Sequence, residues 1–324
     1  MIDVYYSKSM NDTFLDRLKI ELENNFRNCK RIAIKMHFGE PGNKTALTPE
    51  DIAPIIKIIE GLGIKYYLYD SSVNYGGERA NPKTHKAYAL KKGFRNVETG
   101  DEFVESKGKH LTYQVCKKLV DVDAVLVLTH VKGHECSGFG GGIKNLGMGA
   151  LTGKSKGDIH TGGKPVFSGE CVKCGACVSE CPVHGMKLVD TEKYPVVFNC
   201  YGCSNCSYIC PNNVIKPQLA SFDILLSDGA NAAQSKFKKH YYVSLLKNIT
   251  AHCDCYSDAG KIIAKDSGYL MSPDGVAIDQ ATHDVIVRNN GEVFLTQNFK
   301  KGTEHILEAE KLGMGTREYV LKEL

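Results

Sequence analysis

The chain has 324 residues, with 42% apolar residues, 24% charged residues and a formal net charge of +4. Its length suits two domains of about 150 residues, and its composition is that of an ordinary globular protein. No basic face is marked out for nucleic acid, and no apolar run approaches the ~18 residues that a membrane span needs.

The N-terminus, Met1-Ile-Asp-Val-Tyr-Tyr-Ser-Lys, has no charged segment followed by an apolar core, so no secretory signal is expected. Thirteen cysteines without an export signal point to metal or redox use rather than disulfides. The expected compartment is the cytoplasm.

Residues 1–130 alternate helix and strand. Asn11-Asp12-Thr13 caps a helix from Phe14 to about Phe26, with Phe14, Leu15, Leu18 and Leu22 at helical spacing. Arg31 to His37 reads as a strand ending in the loop Phe38-Gly39-Glu40-Pro41-Gly42. Thr48-Pro49-Glu50-Asp51 opens a helix that runs to Gly61, with proline at its start and acids in its first turn. Ile64 to Tyr69 is the next strand, and a helix follows around Pro82 to Lys92. Asp123 to Thr129 is nearly all apolar, as in a strand covered on both faces of a parallel sheet. This alternation predicts βαβ units and a mostly parallel sheet.

Residues 133–173, rich in glycine and lysine, read as a long functional loop. Beyond Pro217 the expected elements are a helix over Ala232 to Leu246 and a strand at Ile262-Ile-Ala. Helices over Gly275 to Val287 and Thr303 to Leu312 follow, then a terminal strand at Arg317 to Leu321. Neither flank alone makes a complete sheet. The expected architecture is therefore one discontinuous α/β domain, 1–167 and 218–324, interrupted by a small α+β domain over 168–217.

That insertion carries the sharpest signal. Cys171-Val-Lys-Cys174-Gly-Ala-Cys177-Val-Ser-Glu-Cys181-Pro182 is repeated as Cys200-Tyr-Gly-Cys203-Ser-Asn-Cys206-Ser-Tyr-Ile-Cys210-Pro211, every ligand displaced by 29 positions. Both copies obey C-x2-C-x2-C-x3-C-P, the run used by ferredoxins holding two [4Fe–4S] clusters. Three thiolates on a tight loop wrap one cluster, and the fourth cysteine ligates the other. The predicted sets are Cys171, Cys174, Cys177 and Cys210, and Cys200, Cys203, Cys206 and Cys181. Zinc is the competing reading, but it requires neither the third cysteine nor the following proline.

The stretch His130 to Gly149 follows the best strand and holds six glycines within the twelve positions 138–149. Ligands of open α/β sheets bind at the carboxyl ends of strands, so Gly140, Gly141, Gly142 and His134 are candidate cofactor-binding residues. Lys144 is a candidate catalytic residue. Neither a dinucleotide fingerprint nor a Walker A sequence is completed. The competing reading is glycine used for close packing or as a hinge.

Five cysteines lie outside the repeat. Cys29 and Cys116, in helical or near-helical surroundings, read as small inert hydrophobes. Cys253-Asp254-Cys255, if extended, turns both thiols to one side. Cys253 and Cys255 are therefore candidate catalytic thiols, as a redox dithiol. They are equally a site for an additional metal completed by His252, His37, His130, His134 or Cys136, or simply buried thiols. Asp70, Arg79, Asp274 and Asp279 sit near element ends, where a cap is as good a reading as a site. His184 and His283 fall on solvated helix faces.

With these residues in view, the chain resembles the domain-of-unknown-function family 362, a set of uncharacterised iron–sulfur centre proteins. The likeness is carried by Phe38-Gly39-Glu40-Pro41-Gly42-Asn43-Lys44-Thr45, Gly133-His134-Glu135 and Gly141-Gly142-Ile143-Lys144-Asn145-Leu146-Gly147-Met148-Gly149. It continues in Asn248-Ile249-Thr250, Cys253-Asp254-Cys255, Ser272-Pro273-Asp274 and Ala277-Ile278-Asp279-Gln280. The resemblance implies an α/β domain with a ferredoxin-like insertion and supplies no reaction. The functional expectation is an iron–sulfur redox protein that relays electrons to a site on the α/β domain, the Gly-rich loop plus Cys253 and Cys255. A redox partner protein or a small-molecule acceptor is implied. The alternatives are an electron carrier without its own substrate and a metal- or cluster-handling protein using Cys-Asp-Cys.

Overall fold

The apolar run Ala124–His130 lies in the middle of an eight-stranded sheet, with all seven of its residues buried. The computed structural model describes residues 1–324. In spatial order the strands are Tyr319–Glu323, Ile2–Ser7, Gly268–Ser272, His240–Leu246, Ala124–His130, Arg31–Lys35, Lys65–Tyr69 and Val97–Glu98. Only Gly268–Ser272 runs antiparallel to its neighbours; every other pairing is parallel. The register sets Val125 between Ala33 on one side and His240 on the other.

Because side chains alternate along a strand, each central strand feeds two cores. Ile32, Ile34, Leu126 and Leu128 join Phe14, Leu18 and Leu22 from Asp12–Asn25 and Ile52, Ile55 and Ile59 from Pro49–Gly61. Ala33, Val125 and Val127 face the other way, onto Leu146, Phe222, Leu225, Leu226, Val276 and Ala277. The result is the expected α/β architecture, a mostly parallel sheet with a helical layer on each face. Each fully buried aliphatic side chain contributes about 1.5–3 kcal/mol, which makes the double-sided strands the thermodynamic centre. The first helices start where capping predicts. Asn11 accepts from Phe14 N, and Thr48 and Asp51 cap each other reciprocally.

Three expectations are corrected. Residues 133–173 are not mainly a loop: they form the hairpin Lys132–His134 with Gly138–Gly140, then helices Gly142–Gly149 and Gly153–Gly162. The glycines serve close packing, since a Cβ on Gly147 would lie 2.4 Å from the Leu226 carbonyl oxygen. The helix expected over Ala232 to Leu246 is Phe222–Gln234, capped by Ser221, and His240–Leu246 is a central strand. Its Tyr-Tyr-Val core suits a strand flanked on both sides, and that flanking overrides the helical spacing. His283 is buried rather than on a solvated face, its Nε2 on the Lys301 carbonyl, whereas Cys116 sits at the start of helix Lys117–Val120 in the core, as expected.

Three sheet strands, Ile2–Ser7, Val97–Glu98 and Gly268–Ser272, are not evident in the pattern, and Ile262–Ala264 pairs with Ile249–Thr250 outside the main sheet. The main sheet takes strands from both sides of the cysteine repeat. Pro165–Phe167 pairs antiparallel with Ile215–Pro217 where the chain enters and leaves that segment. Within it are two short helices, Ala176–Ser179 and Asn205–Ile209, a pair Met186–Lys187 with Val196–Val197, and a small core of Cys177, Met186, Cys206 and Ile215. No helix is long and apolar enough to cross a membrane.

Candidate functional site

Parallel strands share a polarity, so the ends of Arg31–Lys35, Lys65–Tyr69, Ala124–His130 and His240–Leu246 open at one edge of the sheet. A cavity of about 640 Å³ lies there. Its wall takes Lys35 and His37 after the first strand, Asp70 after the second, and His130 and Lys132 after the third. Lys144 and Asn145 enter from Gly142–Gly149, and Lys156 and His160 from Gly153–Gly162. Cys253, Cys255 and Tyr256 close another side, and Cys200 and Tyr201 reach the same cavity from the cysteine repeat.

Cys253 and Cys255 meet at an Sγ–Sγ distance of 3.0 Å, through a turn rather than an extended segment. Lys144 Nζ is 3.0 Å from Cys253 Sγ. The shared proton of Cys255 is the largest influence on Cys253; with the Lys144 charge it outweighs burial and brings the thiol down to about 6. Cys255 is pushed up, first by that shared bond and then by burial, and so retains the proton. Burial alone would lower Lys144, but the two sulfurs outweigh it and raise it, so it stays an ammonium. His37 Nδ1 accepts from Gly39 N at 2.9 Å, which leaves the proton on Nε2, 3.4 Å from Cys255 Sγ. The resulting chain runs from His37 through Cys255 to the Cys253 thiolate, with Lys144 beside it.

Asp254 turns the other way, to His130 Nδ1 and Lys132 Nζ, both at 2.8 Å. Both contacts are made by Oδ2, which braces the turn, and Oδ1 is buried without a partner. Burial works against ionising Asp254, and the His130 and Lys132 charges overcome it, lowering the carboxyl well below its usual range.

Six cations line the cavity (Lys35, Arg79, Lys132, Lys144, Lys156 and Lys164) with the carboxylates Asp70 and Glu135, and behind the wall Asp254 pairs with Lys132 and Glu40 with Arg79 at 2.9 Å. Asp70 bridges Lys35 at 3.0 Å and Arg79 at 3.1 Å, so the Asp70–Arg79 pair is structural as well as electrostatic. Lys156 donates to Ser71 Oγ at 2.8 Å and to the Ser72 carbonyl, and burial pushes it down to about 8. Glu135 accepts from the Tyr256 hydroxyl through one oxygen, and its other oxygen is buried without a partner.

The glycine-loop candidates separate. Gly140 and Gly141 line the cavity, but the amides of Gly142 and Ile143 donate to Asp279 at 2.7 and 2.8 Å. Asp279 thus caps the Lys144 helix, and Asp274 caps Gly275–Asn290. His134 lines the cavity, its Nδ1 accepting from Cys136 N and Ser137 N, and burial holds it neutral at about 3. His134, Glu135 and Cys136 bring ligand atoms within 4.8 Å of one another, which is consistent with metal binding. Burial, however, pushes the Cys136 thiol well up, away from the thiolate a metal needs. His252 packs on Tyr256.

The eight repeat cysteines come together in two groups. Cys171, Cys174, Cys177 and Cys210 line one small cavity with Leu188, Pro195 and Ile215. Cys206 lies among Cys203, Cys200, Cys177 and Cys181, and Cys203 beside Cys181 and Cys200. Backbone amides point at the sulfurs: Gly185 N donates to Cys181 at 3.2 Å and Gly202 N to Cys200 at 3.3 Å. Those two sulfurs belong to the second group, and in the first the amides of Val214 and Ile215 lie against Cys210; each group has the donor number suited to an iron–sulfur cluster.

Lys35, Lys132, Lys156, His160 and Glu135 were not predicted as site residues. The signal for Lys35 is a lysine at the carboxyl end of an apolar strand. Lys156 and His160 carry none beyond their spacing of four residues, which puts both on one helix face.

A family described as "Domain of unknown function (DUF362)" matches residues 32–284. No curated protein matches the chain. Among solved structures, a Thermotoga maritima protein determined by structural genomics is similar at TM-score 0.47 and 10% identity, over 91% of this chain and 60% of that one. The lactate racemase apoprotein of Thermoanaerobacterium thermosaccharolyticum is similar at TM-score 0.38 and 12% identity, over 76% of this chain and 50% of that one. This chain thus spans less than two thirds of either, and likenesses this distant carry no functional argument.

Proposed function

The chain belongs to the domain-of-unknown-function family 362, and we propose that it is an iron–sulfur redox protein delivering electrons into the cavity at the carboxyl edge of its sheet. The observation that carries this reading is the shared wall: Cys200 and Tyr201 line the same cavity as Lys144, Cys253 and Cys255. Residues 168–217 act as a ferredoxin-like unit set into an α/β domain formed by 1–167 and 218–324.

The donor sets suit two [4Fe–4S] clusters, one on Cys171, Cys174, Cys177 and Cys210 and one on Cys200, Cys203, Cys206 and Cys181. When bound, such clusters supply single electrons at low potential. Cys174 is exposed beside Val172, which is 60% exposed, so a redox partner protein has access on that side. Cys200 opens on the other side, towards the cavity. Lys300 supports the junction, its Nζ donating to the carbonyls of Cys136 and Cys203 and to Asp223. Lys156 and Lys164 line the cavity without a carboxylate partner, which suits an anionic small-molecule acceptor.

Two competing readings are weaker. A carrier with no chemistry of its own has no use for a 640 Å³ cavity furnished with a stabilised thiolate. A metal store on Cys-Asp-Cys has an ammonium 3.0 Å from Cys253 Sγ, where a cation would bind.

Anaerobically purified protein is expected to hold about eight irons per chain and to show [4Fe–4S] signals on reduction. Zinc in their place would overturn the proposal. Reoxidation of reduced protein by anionic acceptors should slow when Lys144 is replaced by glutamine.

A further inference from the structure

A site fed by one-electron carriers needs a way to complete two-electron chemistry, and the cavity wall contains one. Cys253 and Cys255 hold their sulfurs 3.0 Å apart, and a disulfide requires about 2.05 Å with a modest rotation of the side chains. Neither thiol is committed elsewhere: the hydrogen-bond partners of the Cys253 sulfur are Cys255 and Lys144, and those of the Cys255 sulfur are Cys253 and His37. Both face the cavity, and so does Cys200. We infer that Cys253 and Cys255 form a reversible dithiol–disulfide couple that gathers electrons arriving singly from the Cys200 side. The inference rests on the redox reading above and deepens it.

The step balances as follows. Two electrons, which the clusters once reduced would give up one at a time, break the Cys253–Cys255 S–S bond. Cys253 leaves as a thiolate beside Lys144, and one proton from cavity water is taken up on Cys255 sulfur. The reverse step, driven by a two-electron acceptor in the cavity, forms the S–S bond and releases two electrons and that one proton. The polarity is built in. The Lys144 ammonium selects Cys253 as the thiolate, which is the nucleophile in any exchange. His37, held as the Nε2–H tautomer by Gly39, donates to Cys255 and keeps its proton directed at Cys253. Cys116 and Cys136 lack this setting: burial pushes both thiols up.

The test uses the anaerobic full chain with its iron content measured. Protein is treated with diamide, quenched with iodoacetamide under denaturing conditions, digested and weighed. The peptide carrying Cys253 and Cys255 is expected to be unalkylated at both positions and 2 Da lighter, which are the marks of a disulfide. Coulometric reduction of the diamide-treated protein is then expected to take up about four electrons in the wild type and about two in Cys255→Ser, at equal iron. Lys144→Gln should slow disulfide formation at neutral pH at least about tenfold, because the thiolate is the attacking species.

Both thiols alkylated after diamide, with about eight irons present, overturns the couple and leaves the cluster reading standing. A disulfide in protein that binds no iron overturns the cluster reading, and with it the claim that the couple is charged by single electrons. A metal retained on the pair that blocks the disulfide also overturns the couple.

Discussion

Lys144 Nζ lies 3.0 Å from Cys253 Sγ, although 109 residues separate them in the chain. The contact exists because helix Gly142–Gly149 and the turn after Ile249–Thr250 are both anchored at the same sheet edge. Asp279 fixes the first, and the Asp254 ion pairs fix the second. An ammonium and a thiolate in a buried cavity stabilise each other's charge, and that reciprocity organises the site.

The rate of Cys253 alkylation by iodoacetamide should therefore rise with pH around a midpoint near 6, well below the ordinary thiol value of 9.0. In Lys144→Gln that midpoint should move upward, and the rate at pH 7 should fall. The same depression makes a stability contribution. A lowered acid is stabilising above its unfolded value and loses that contribution as pH falls through the folded one. The Cys253 share should therefore be present above pH 9 and decline between 9 and 6. An unchanged midpoint in the glutamine variant would remove Lys144 from its assigned role.

Asp279 works in the opposite sense. Burial pushes its carboxyl up to about 7, against the two amides that favour the charged form. Between the ordinary 3.8 and 7 the folded chain holds a proton that the unfolded chain has released. Its contribution is therefore largest below pH 3.8 and is lost as pH rises through 7. Asp279→Ala leaves two buried amides without an acceptor and should cost about 1–3 kcal/mol. Denaturant unfolding at several pH values would check both the size and the flattened pH profile.

Gly147→Ala tests whether the glycines of 138–149 are packing residues. Helix propensity alone favours alanine by about 1 kcal/mol. The new Cβ, however, would lie 2.4 Å from the Leu226 carbonyl oxygen, and forced separation of packed helices costs about 1–3 kcal/mol. Net destabilisation is expected, together with displacement of Lys144 from Cys253. A more stable variant with unchanged Cys253 reactivity would show that the approach is not tight.

The crossed cysteine groups make a prediction that zinc knuckles do not. Cys181→Ala should disturb the cluster held by Cys200, Cys203 and Cys206, which lie far from it in sequence. Cys210→Ala should disturb the one held by Cys171, Cys174 and Cys177. Each variant should lose about four of eight irons, and the two should lose different electron paramagnetic resonance signals. Identical residual signals would refute the crossed assignment.

Local chemistry alone accounts for what was legible from the residues. Capping at Asn11 and Thr48, the double-sided apolar run around Leu126 and the two cysteine runs need no distant partner to be read. The glycine-rich stretch was misjudged because glycine has two uses, loose backbone and close approach, and only the position of Leu226 distinguishes them. The same holds for His240–Leu246, whose helical spacing lost to the two strands flanking it.

The sequence by itself determined that the sheet would be mostly parallel and that Cys171 to Cys210 would carry paired four-cysteine sets, because ligand spacing and strand burial are short-range properties. Only the tertiary structure decided that Lys144, His37, Cys253, Cys255 and Cys200 share one cavity. Parallel strands discharge their loops at a common edge. That edge joins residues more than 200 positions apart, and no pattern within a segment records which of them will meet.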